Sequence, residues 1–226
     1  PETGWSAEFG IMQGIKIAEW NGYIDVAVFQ TEYKEMMEFA FGQWGAAVPP
    51  NYGIGFKSRN IGDTRIKGID ISLSGTGNVY GTEINLLAGY TYIDPRQTNF
   101  DIAIDTNRSS LNTNILKYRY RHLFKGDIEF TVKKISAGLS VRYSSFIENI
   151  DKLFNEGIPS LLPAMKSYRE KHNTGDTVYD FRFSYQVLSN LKTAVIVKNL
   201  FNHEYVGRPY DMQPPRSFTL QFSLYL

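Results

Sequence analysis

The chain contains no cysteine, which excludes a disulfide framework and a thiolate metal site. Nowhere do about 18 apolar residues follow one another, so we expect no transmembrane helix. Opposite charges almost cancel, with 24 basic and 23 acidic residues, which argues against a nucleic-acid binder that relies on its overall charge. The mean hydropathy is only −0.29. A membrane β-barrel hides its apolar residues in alternation, so this low average leaves that class open.

Catalytic patterns are also missing. The three histidines, His122, His172 and His203, lie on separate segments, and neither an HExxH nor a GxSxG motif occurs. The neighbouring carboxylates Glu35 and Glu38 sit in a charged segment that is typical of a solvated surface. We therefore predict no catalytic residue, no metal site and no cofactor, and a protein that is not an enzyme. A hydrolase whose Ser, His and acidic groups converge at a barrel rim stays open on spacing alone.

Aromatic residues are abundant, at 15% of the chain, with 15 Tyr and 15 Phe. Tyrosine and tryptophan favour the interface between membrane and water, so this excess is compatible with the aromatic girdles of a membrane barrel. Composition alone gives an aromatic-rich β-sandwich the same weight.

The last ten residues alternate strictly between apolar and polar side chains. One face carries Phe218, Leu220, Phe222, Leu224 and Leu226, and the other carries Ser217, Thr219, Gln221, Ser223 and Tyr225. A period of two predicts a β-strand. A soluble sheet seldom leaves such a strand bare at its edge, because a bare edge invites aggregation, whereas a membrane barrel needs one to close its seam.

The same alternation predicts about nine strands along the chain. The first seven are expected at 5–17, 23–41, 53–73, 82–94, 118–132, 135–148 and 176–187, and the last two within 190–226. Hairpin turns are expected at Trp20-Asn21-Gly22, because Asn-Gly is a strong turn signal, and in the glycine-rich segment 74–81.

Connections between these strands alternate in length. Short ones fall near residues 20, 77, 133 and 189, and long ones near 47, 105, 162 and 208. This asymmetry is typical of outer-membrane barrels, with tight periplasmic turns and long extracellular loops. Single-chain bacterial barrels have even strand numbers, so about nine strands predict one part of a larger barrel.

Two segments carry a family resemblance. Asn199, Leu200, Phe201, Asn202 and Tyr205 form an NLFN-x-x-Y motif, which Pro215-Arg216 and a strand from Phe218 to Leu226 follow. The segment KGIDISL at 67–73 resembles a Gly-hydrophobic-Glu element, with Asp in place of Glu. The chain therefore resembles the C-terminus of TonB-dependent outer-membrane receptors. It departs from their pattern in lacking the glycine between Pro215 and Arg216 and in ending on Leu226 rather than phenylalanine.

This resemblance implies an all-β fold, a transmembrane antiparallel β-barrel of about 22 strands, of which residues 1–226 would supply about nine C-terminal ones. It implies energised uptake of a siderophore, haem, cobalamin, glycan or peptide across the outer membrane. The implied partners are outer-membrane lipid and lipopolysaccharide, the plug domain and remaining strands, and TonB through an N-terminal part; no nucleic acid is expected. The opening segment resembles receptors of Bacteroidetes, for which a surface lipoprotein is a conceivable partner. A channel or adhesin barrel without a plug, and a soluble β-sandwich that binds sugar or protein, are the alternatives.

Three groups of candidate residues follow. In the family signature, Asn199, Asn202, Tyr205 and Arg216 are expected to fix strand ends and the loop, and the strand ending at Leu226 to act as an assembly signal. Extracellular-loop contacts to a ligand are expected from Trp44, Lys166, Arg169 and Lys171, with solvated or packed loops as the alternative. Charged residues opposite the aliphatic face, among them Asp127, Glu129 and Arg182, are expected to line a lumen or pair with a plug.

Overall fold

A computed structural model describes residues 1–46, 48, 53–108 and 110–225, except for the side chains of 106–108. Within these residues the chain forms nine strands and three short helices. The strands are β1 (Thr3–Ile17), β2 (Glu19–Gln43), β3 (Ile54–Val79), β4 (Thr82–Gln97), β5 (His122–Val132), β6 (Ile135–Ser144), β7 (Asp176–Leu188), β8 (Leu191–Lys198) and β9 (Ser217–Leu224). The helices are α1 (Ile102–Arg108), α2 (Lys152–Glu156) and α3 (Lys166–Lys171).

The strands form a single antiparallel sheet in which each strand pairs with the next along the chain. The order β1 to β9 is therefore both the sequence order and the spatial order. Over the described residues the sheet is open, because β1 pairs only with β2 and β9 only with β8. The predicted all-β antiparallel fold of about nine strands is confirmed.

Short and long connections alternate, as predicted. Two-residue turns join β1 to β2, β3 to β4, β5 to β6 and β7 to β8. Ala18, Tyr80 and Lys133 in these turns have positive φ, at 53°, 51° and 53°. Such a left-handed backbone twists a two-residue hairpin in the sense that its strands require. The long connections all emerge at the opposite end of the sheet.

Two predicted turns are displaced: the chain turns at Ala18-Glu19 rather than at 20–22, and at Tyr80-Gly81, the last two residues of the predicted 74–81. Asn21 and Gly22 lie inside β2, where they pair with Lys16 and Ile15 of β1, and the glycine-rich segment 74–79 continues β3. The reason is Trp20, which is only 7% exposed. Its indole lies over Gly22 and Gly75, where any β-carbon would collide with the ring. These glycines therefore make room for an aromatic side chain within the sheet.

Other strand ends differ from the prediction. β2 and β3 are longer than predicted, whereas β5 begins at His122 rather than 118 and β6 ends at Ser144 rather than 148. All three helices lie in segments predicted as loops. The helices have five to seven residues, too short for an apolar stripe that periodicity would reveal.

Side chains sort onto two faces of the sheet. On the apolar face, cross-strand partners are both hydrophobic, as in Val26 opposite Ile71, Leu139 opposite Phe181, and Val195 opposite Leu220. This face has no covering layer among the described residues, and Leu220 stays 61% exposed. In β3 the apolar face runs from Ile69 to Val79, about 34 Å along the strand or about 26 Å at a 40° tilt. That length corresponds to the apolar band of an outer-membrane barrel.

The opposite, polar face carries an ion-pair network that spans three strands. Arg182 on β7 reaches across β6 and makes two bonds to Asp127 on β5, at 2.6 and 2.7 Å. Its Nε donates to Glu129 Oε2 at 2.9 Å, and its Nη1 donates to Ser140 Oγ at 3.0 Å. The guanidinium passes directly over Gly138, where an added β-carbon would lie 2.6 Å from Cζ. Asp127, Glu129 and Arg182, which were predicted to share the polar face, thus form ion pairs with each other on that face.

The lipid-facing assignment of the apolar face predicts a clear asymmetry between adjacent positions. Leu220→Arg should prevent membrane assembly, because an arginine on the lipid face costs about 2–4 kcal/mol near the midplane; Phe181→Arg should behave alike. Gln221→Arg, one residue further on the polar face, is the matched control and should assemble. Heat-modifiable migration in gel electrophoresis measures the assembled fraction. Normal assembly of Leu220→Arg and Phe181→Arg would contradict the assignment.

Candidate functional site

The longest hairpin projects beyond its neighbours at the end with the long connections. β2 has 25 residues and β3 has 26, compared with 15 in β1 and 16 in β4. A bulge interrupts the hairpin, where the register shifts between Tyr33 and Met36 and Glu35 takes a φ of 55°. Beyond this bulge Ala40 is only 2% exposed. The projecting part is therefore covered on the face that carries Ala40, whereas Phe39 and Phe56 stay 73% and 66% exposed.

The cover consists of three long connections, residues 98–121, 145–175 and 199–216, which we call the cap. Phe154 of α2 stacks on Phe41 of the hairpin with ring centres 4.5 Å apart. The Tyr210 hydroxyl donates to the Pro163 carbonyl at 2.5 Å, and the Tyr120 hydroxyl donates to the Gly207 carbonyl at 2.9 Å. The three connections therefore pack on each other, and the second also packs on the hairpin.

A buried ionic cluster lies at the centre of the cap. The Lys117 ammonium is 2.6 Å from Asp151 Oδ1 and 3.7 Å from a Glu38 carboxylate oxygen. The Tyr118 hydroxyl donates to Asp151 Oδ2 at 2.7 Å. Asp151 is completely buried. The cluster thus joins the first cap connection, the second and strand β2 through one set of charge-assisted bonds.

Asn149 reinforces the same junction with its whole side chain. Its Nδ2 donates to Ile115 O at 2.6 Å and to Ser110 Oγ at 2.7 Å, and its Oδ1 accepts from Leu111 N–H at 3.0 Å. A buried amide that meets both its donor and acceptor needs fixes the two segments in one register.

Burial changes the acidity of two groups in this cluster. It raises the pKa of the Glu38 carboxyl, although the nearby Lys117 charge lowers it. Burial also raises the pKa of the Tyr118 phenol, and its hydrogen bond to Asp151 acts in the same direction. Tyr118 is therefore a fixed donor, whereas Glu38 is the group whose protonation responds to a falling pH.

The predicted ligand contacts fall into two places. Trp44 follows β2, and its Nε1 donates to the Gly55 carbonyl at 2.7 Å. Lys166 and Lys171 are exposed on α3. Arg169 of α3 donates to the Ile147 and Glu148 carbonyls at 2.9 and 3.3 Å and lies 4.5 Å above the Phe146 ring. Arg169 thus holds the second cap connection, and no described hydrogen bond or ring contact joins Trp44 to α3.

The NLFN motif forms a compact turn after β8. Asn199 and Asn202 both have positive φ, at 49° and 54°. Buried Asn199 accepts from His203 N–H and donates to the His203 carbonyl, each at 2.8 Å. Asn202 Oδ1 accepts from Arg216 N–H at 2.9 Å, just before β9. Asparagine tolerates this conformation and bonds to the local backbone, so the motif fixes how the chain leaves one strand and enters the next.

The remaining signature residues extend this turn. Leu200 N–H donates to the Tyr179 carbonyl at 2.7 Å, and Phe201 meets the Tyr179 ring edge-on. The Tyr205 and His203 rings are stacked 6.0 Å apart. Phe218 is 71% exposed on the apolar face, with the Arg216 guanidinium 5.8 Å from its ring. Leu226 lies outside the described residues.

The buried cluster is the feature that sequence reasoning missed. Lys117, Asn149 and Asp151 lie at the ends of segments predicted as loops, and Tyr118 at the predicted start of a strand, so no periodicity marks their burial. Lys117 and Asp151 are 34 residues apart. An Asn-x-Asp segment after a strand carries no signal for a lysine in another loop, so only the packed structure identifies the pair.

Two features are absent from the described residues. No described helix combines the length and apolar character needed to cross a bilayer. No group of three or more His, Cys, Asp or Glu side chains among those residues is placed to hold a metal ion.

Comparison with known proteins gives one family and a common fold. The sequence model of the family described as "TonB dependent receptor-like, beta-barrel" matches residues 1–200. No curated protein matches the chain.

Solved structures with the same fold include the ferric-catecholate import receptor Fiu from E. coli K12, with 22% identity over 99% of this chain and a TM-score of 0.66. The siderophore receptor PiuA from Acinetobacter baumannii has 17% identity over 98% and a TM-score of 0.63. The ferripyoverdine receptor from Pseudomonas aeruginosa has 15% identity over 99% and a TM-score of 0.62. The chain spans only 28%, 28% and 27% of these proteins' lengths.

The buried pair predicts that removing one partner opens the cap. Asp151→Asn should lower the free energy of opening by about 3–5 kcal/mol, because it leaves the Lys117 ammonium buried without its counter-charge. Hydrogen exchange at 111–118 and 149–154 measures the opening. The double variant Lys117→Met with Asp151→Leu should lose less. Glu156→Gln breaks the exposed Lys152–Glu156 pair and is the control, expected to cost at most about 1 kcal/mol. Equal hydrogen-exchange rates in Asp151→Asn and wild type would show that the Lys117–Asp151 pair does not hold the cap closed.

Glu38 predicts a pH dependence of cap stability. Its pKa in the folded cap is raised above the ordinary 4.5, so the closed cap binds this proton more tightly than the opened cap. The contribution of Glu38 to cap stability is therefore fully present below pH 4.5 and is lost as the pH rises through the raised value. Glu38→Gln should remove this dependence and protect the cap at neutral pH. The measurement is the rate at which a protease cleaves the cap connections in wild type, divided by the rate in Glu38→Gln, at each pH. A ratio that does not change with pH would refute the predicted role of Glu38.

Proposed function

Because the chain belongs to the TonB-dependent receptor β-barrel family, we propose that the full polypeptide carrying it drives energised uptake of a scarce or large nutrient. The chain is part of a barrel wall in the outer membrane of a Gram-negative cell. The single observation that carries the proposal is the family match to residues 1–200, which coincides with a sheet that has one exposed apolar and one charged face.

In the complete receptor, this chain supplies the C-terminal strands of a barrel of about 22. Its open sheet supports this proposal, because an unpaired strand edge is not tolerated in lipid and must meet further strands. The apolar face contacts membrane lipid and lipopolysaccharide, and the polar face, with Arg182 and Asp127, faces the plug. TonB acts through an N-terminal part of the polypeptide, and a surface lipoprotein is a further proposed partner on the cap side.

The cap is the proposed cargo-binding part of this chain. Trp44, Lys166 and Lys171 offer one aromatic and two exposed cationic side chains at that end, and Arg169 fixes α3 to the Ile147 and Glu148 carbonyls. Iron chelates are the first cargo to test, because the similar structures include receptors named for ferric catecholates and ferripyoverdine.

The last strand is proposed to act as the signal that the barrel-insertion machinery reads. Support comes from the NLFN turn, which sets the register of β9 through the bond between Asn202 and Arg216 N–H. Phe218 begins an apolar face that stays uncovered within the described chain, so it is available for such contacts.

Uptake by cells tests the proposal. Cells with and without the full-length polypeptide should be offered radiolabelled iron chelates, haem, cobalamin and oligosaccharides. We expect one of them to accumulate only with the polypeptide, and a protonophore to stop accumulation while surface binding continues. Uptake that a protonophore leaves unchanged would indicate a passive channel. Attachment of the cells to a surface, without uptake of any labelled nutrient, would indicate an adhesin. The intact mass from the native membrane should be several-fold above 25.8 kDa.

A further inference from the structure

The third connection of the cap, residues 199–216, is held differently from the other two. The first connection buries Leu116, and the second buries Ile150 and Met165. The structure describes the third connection throughout, and Asn199, its first residue, is the one buried residue in it. A segment with so few buried contacts belongs to the least stable part of a fold. The third connection can therefore open while the rest of the cap stays closed.

Residues 205–213 of this connection, which we call the flap, close their backbone hydrogen bonds on each other. Gln213 N–H donates to the Tyr205 carbonyl, and Gly207 N–H donates to the Asp211 carbonyl, both at 3.0 Å. Bonds of this kind stay intact when the segment moves as a unit. Opening of the flap therefore leaves few backbone groups without a partner.

Both ends of the flap meet at Asn199. The Asn199 side-chain Nδ2 donates to the carbonyls of His203 and Pro214, at 2.8 and 3.3 Å. Asn199 N–H also donates to Asp180 Oδ1 of β7 at 2.8 Å. His203 Nε2 lies 2.7 Å from Oδ1 of Asp176, the first residue of β7. The base of the flap is thus fixed to the sheet, so the far end is the part that can swing.

Two tyrosine hydroxyls hold the far end. Tyr120 of the first connection donates to the Gly207 carbonyl at 2.9 Å, and Tyr210 of the flap donates to the Pro163 carbonyl at 2.5 Å. The Tyr210 ring also meets the Phe154 ring edge-on. These contacts, which we call the latch, are neutral, whereas the buried cluster contains an ion pair.

Tyr210 has a backbone conformation that is unfavourable for its side chain. Its φ is 64°, and it is the third residue of a turn that the bond from Asp211 N–H to the Arg208 carbonyl closes at 2.9 Å. A turn with proline second, here Pro209, and positive φ third usually carries glycine there. A tyrosine at this position is strained, and the latch contacts offset the strain. Opening of the flap releases it.

The flap covers a cavity in the cap. Val206, Arg208 and Pro209 line this cavity from the flap, and Ile150 and Met165 line it from the second connection. Ile150 is only 1% exposed and Met165 8%. Opening of the flap therefore gives solutes access to an apolar floor that the closed cap shields.

We propose that residues 205–213 are a flap that swings about Asn199, is latched by Tyr120 and Tyr210, and opens independently of the buried cluster. Its latch is neutral and opposed by the strain at Tyr210, so the flap opens before the Lys117–Asp151 pair breaks. The flap follows from contacts within the described chain and does not depend on which nutrient is taken up.

Thiol labelling of the full-length polypeptide in outer-membrane vesicles tests the flap. Residues 1–226 contain no cysteine, and any cysteine elsewhere in the polypeptide is first replaced by serine. Met165→Cys reports access to the cavity floor. Leu116→Cys, at a position only 3% exposed, reports opening of the core of the cap.

Tyr120→Phe and Tyr210→Phe each remove one latch hydroxyl and keep the ring. Each should speed labelling of Met165→Cys about fivefold, since a neutral hydrogen bond contributes about that factor to an equilibrium. The two together should speed it about 25-fold. Labelling of Leu116→Cys should stay at its slow rate in all these variants.

Two controls accompany the latch variants. Tyr168 lines the same cavity, and its hydroxyl forms no hydrogen bond within the described chain, so Tyr168→Phe should leave both labelling rates unchanged. Asp151→Asn breaks the buried ion pair and should speed labelling of both probes. Heat-modifiable migration confirms that each variant is assembled, so faster labelling is not lost folding.

The outcomes decide between a flap and a cap that opens as one body. Faster labelling of Met165→Cys alone in the tyrosine variants supports the flap. Equal acceleration of Met165→Cys and Leu116→Cys overturns it, because the whole cap then opens together. Unchanged labelling of Met165→Cys in the assembled double variant also overturns it, because the two hydroxyls then hold nothing closed.

Discussion

Backbone hydrogen bonding in lipid is the constraint on which the sheet depends. Hydrocarbon offers no partner for N–H or C=O groups, so each spanning segment must pair with a neighbouring strand along its whole length. The alternation of side chains follows, because a pleated strand sends successive residues to opposite faces. An exposed row such as Phe218, Leu220 and Phe222 would be a liability in water. In an outer-membrane wall it is the surface that lipid requires.

Above the membrane the constraint changes, and so does the architecture. Water can satisfy backbone groups there, so irregular connections and short helices become possible. The cap then needs a core of its own, which it builds from Ile115, Leu116 and Ile150 around the Lys117–Asp151 pair. The bulge near Glu35 marks the transition within a single hairpin. The same strands thus form a sheet suited to lipid and carry a cap with a polar, buried core.

Sequence patterns predicted the sheet well and its details less well. Alternation located every strand, since the apolar face of each is read directly from residues such as Ile69 and Ile71. The Asn21-Gly22 signal failed because Trp20 needs space over Gly22, and packing of a large ring outweighed a local turn preference. Of the predicted ligand contacts, Arg169 proved to be engaged with the Ile147 and Glu148 carbonyls. Turn propensity and exposed charge are local signals, and neither reports a neighbour from another strand.

The sequence by itself determined the number of strands, the two faces, the alternation of short and long connections, and the family. Each of these depends on a period of two or on a contiguous motif such as Asn199–Asn202. Only the tertiary structure decided which distant residues meet. Arg182 lies 55 residues from Asp127, and Lys117 lies 34 from Asp151. Such pairs arise from register and from loop packing, which place side chains together without leaving a periodic trace in the chain.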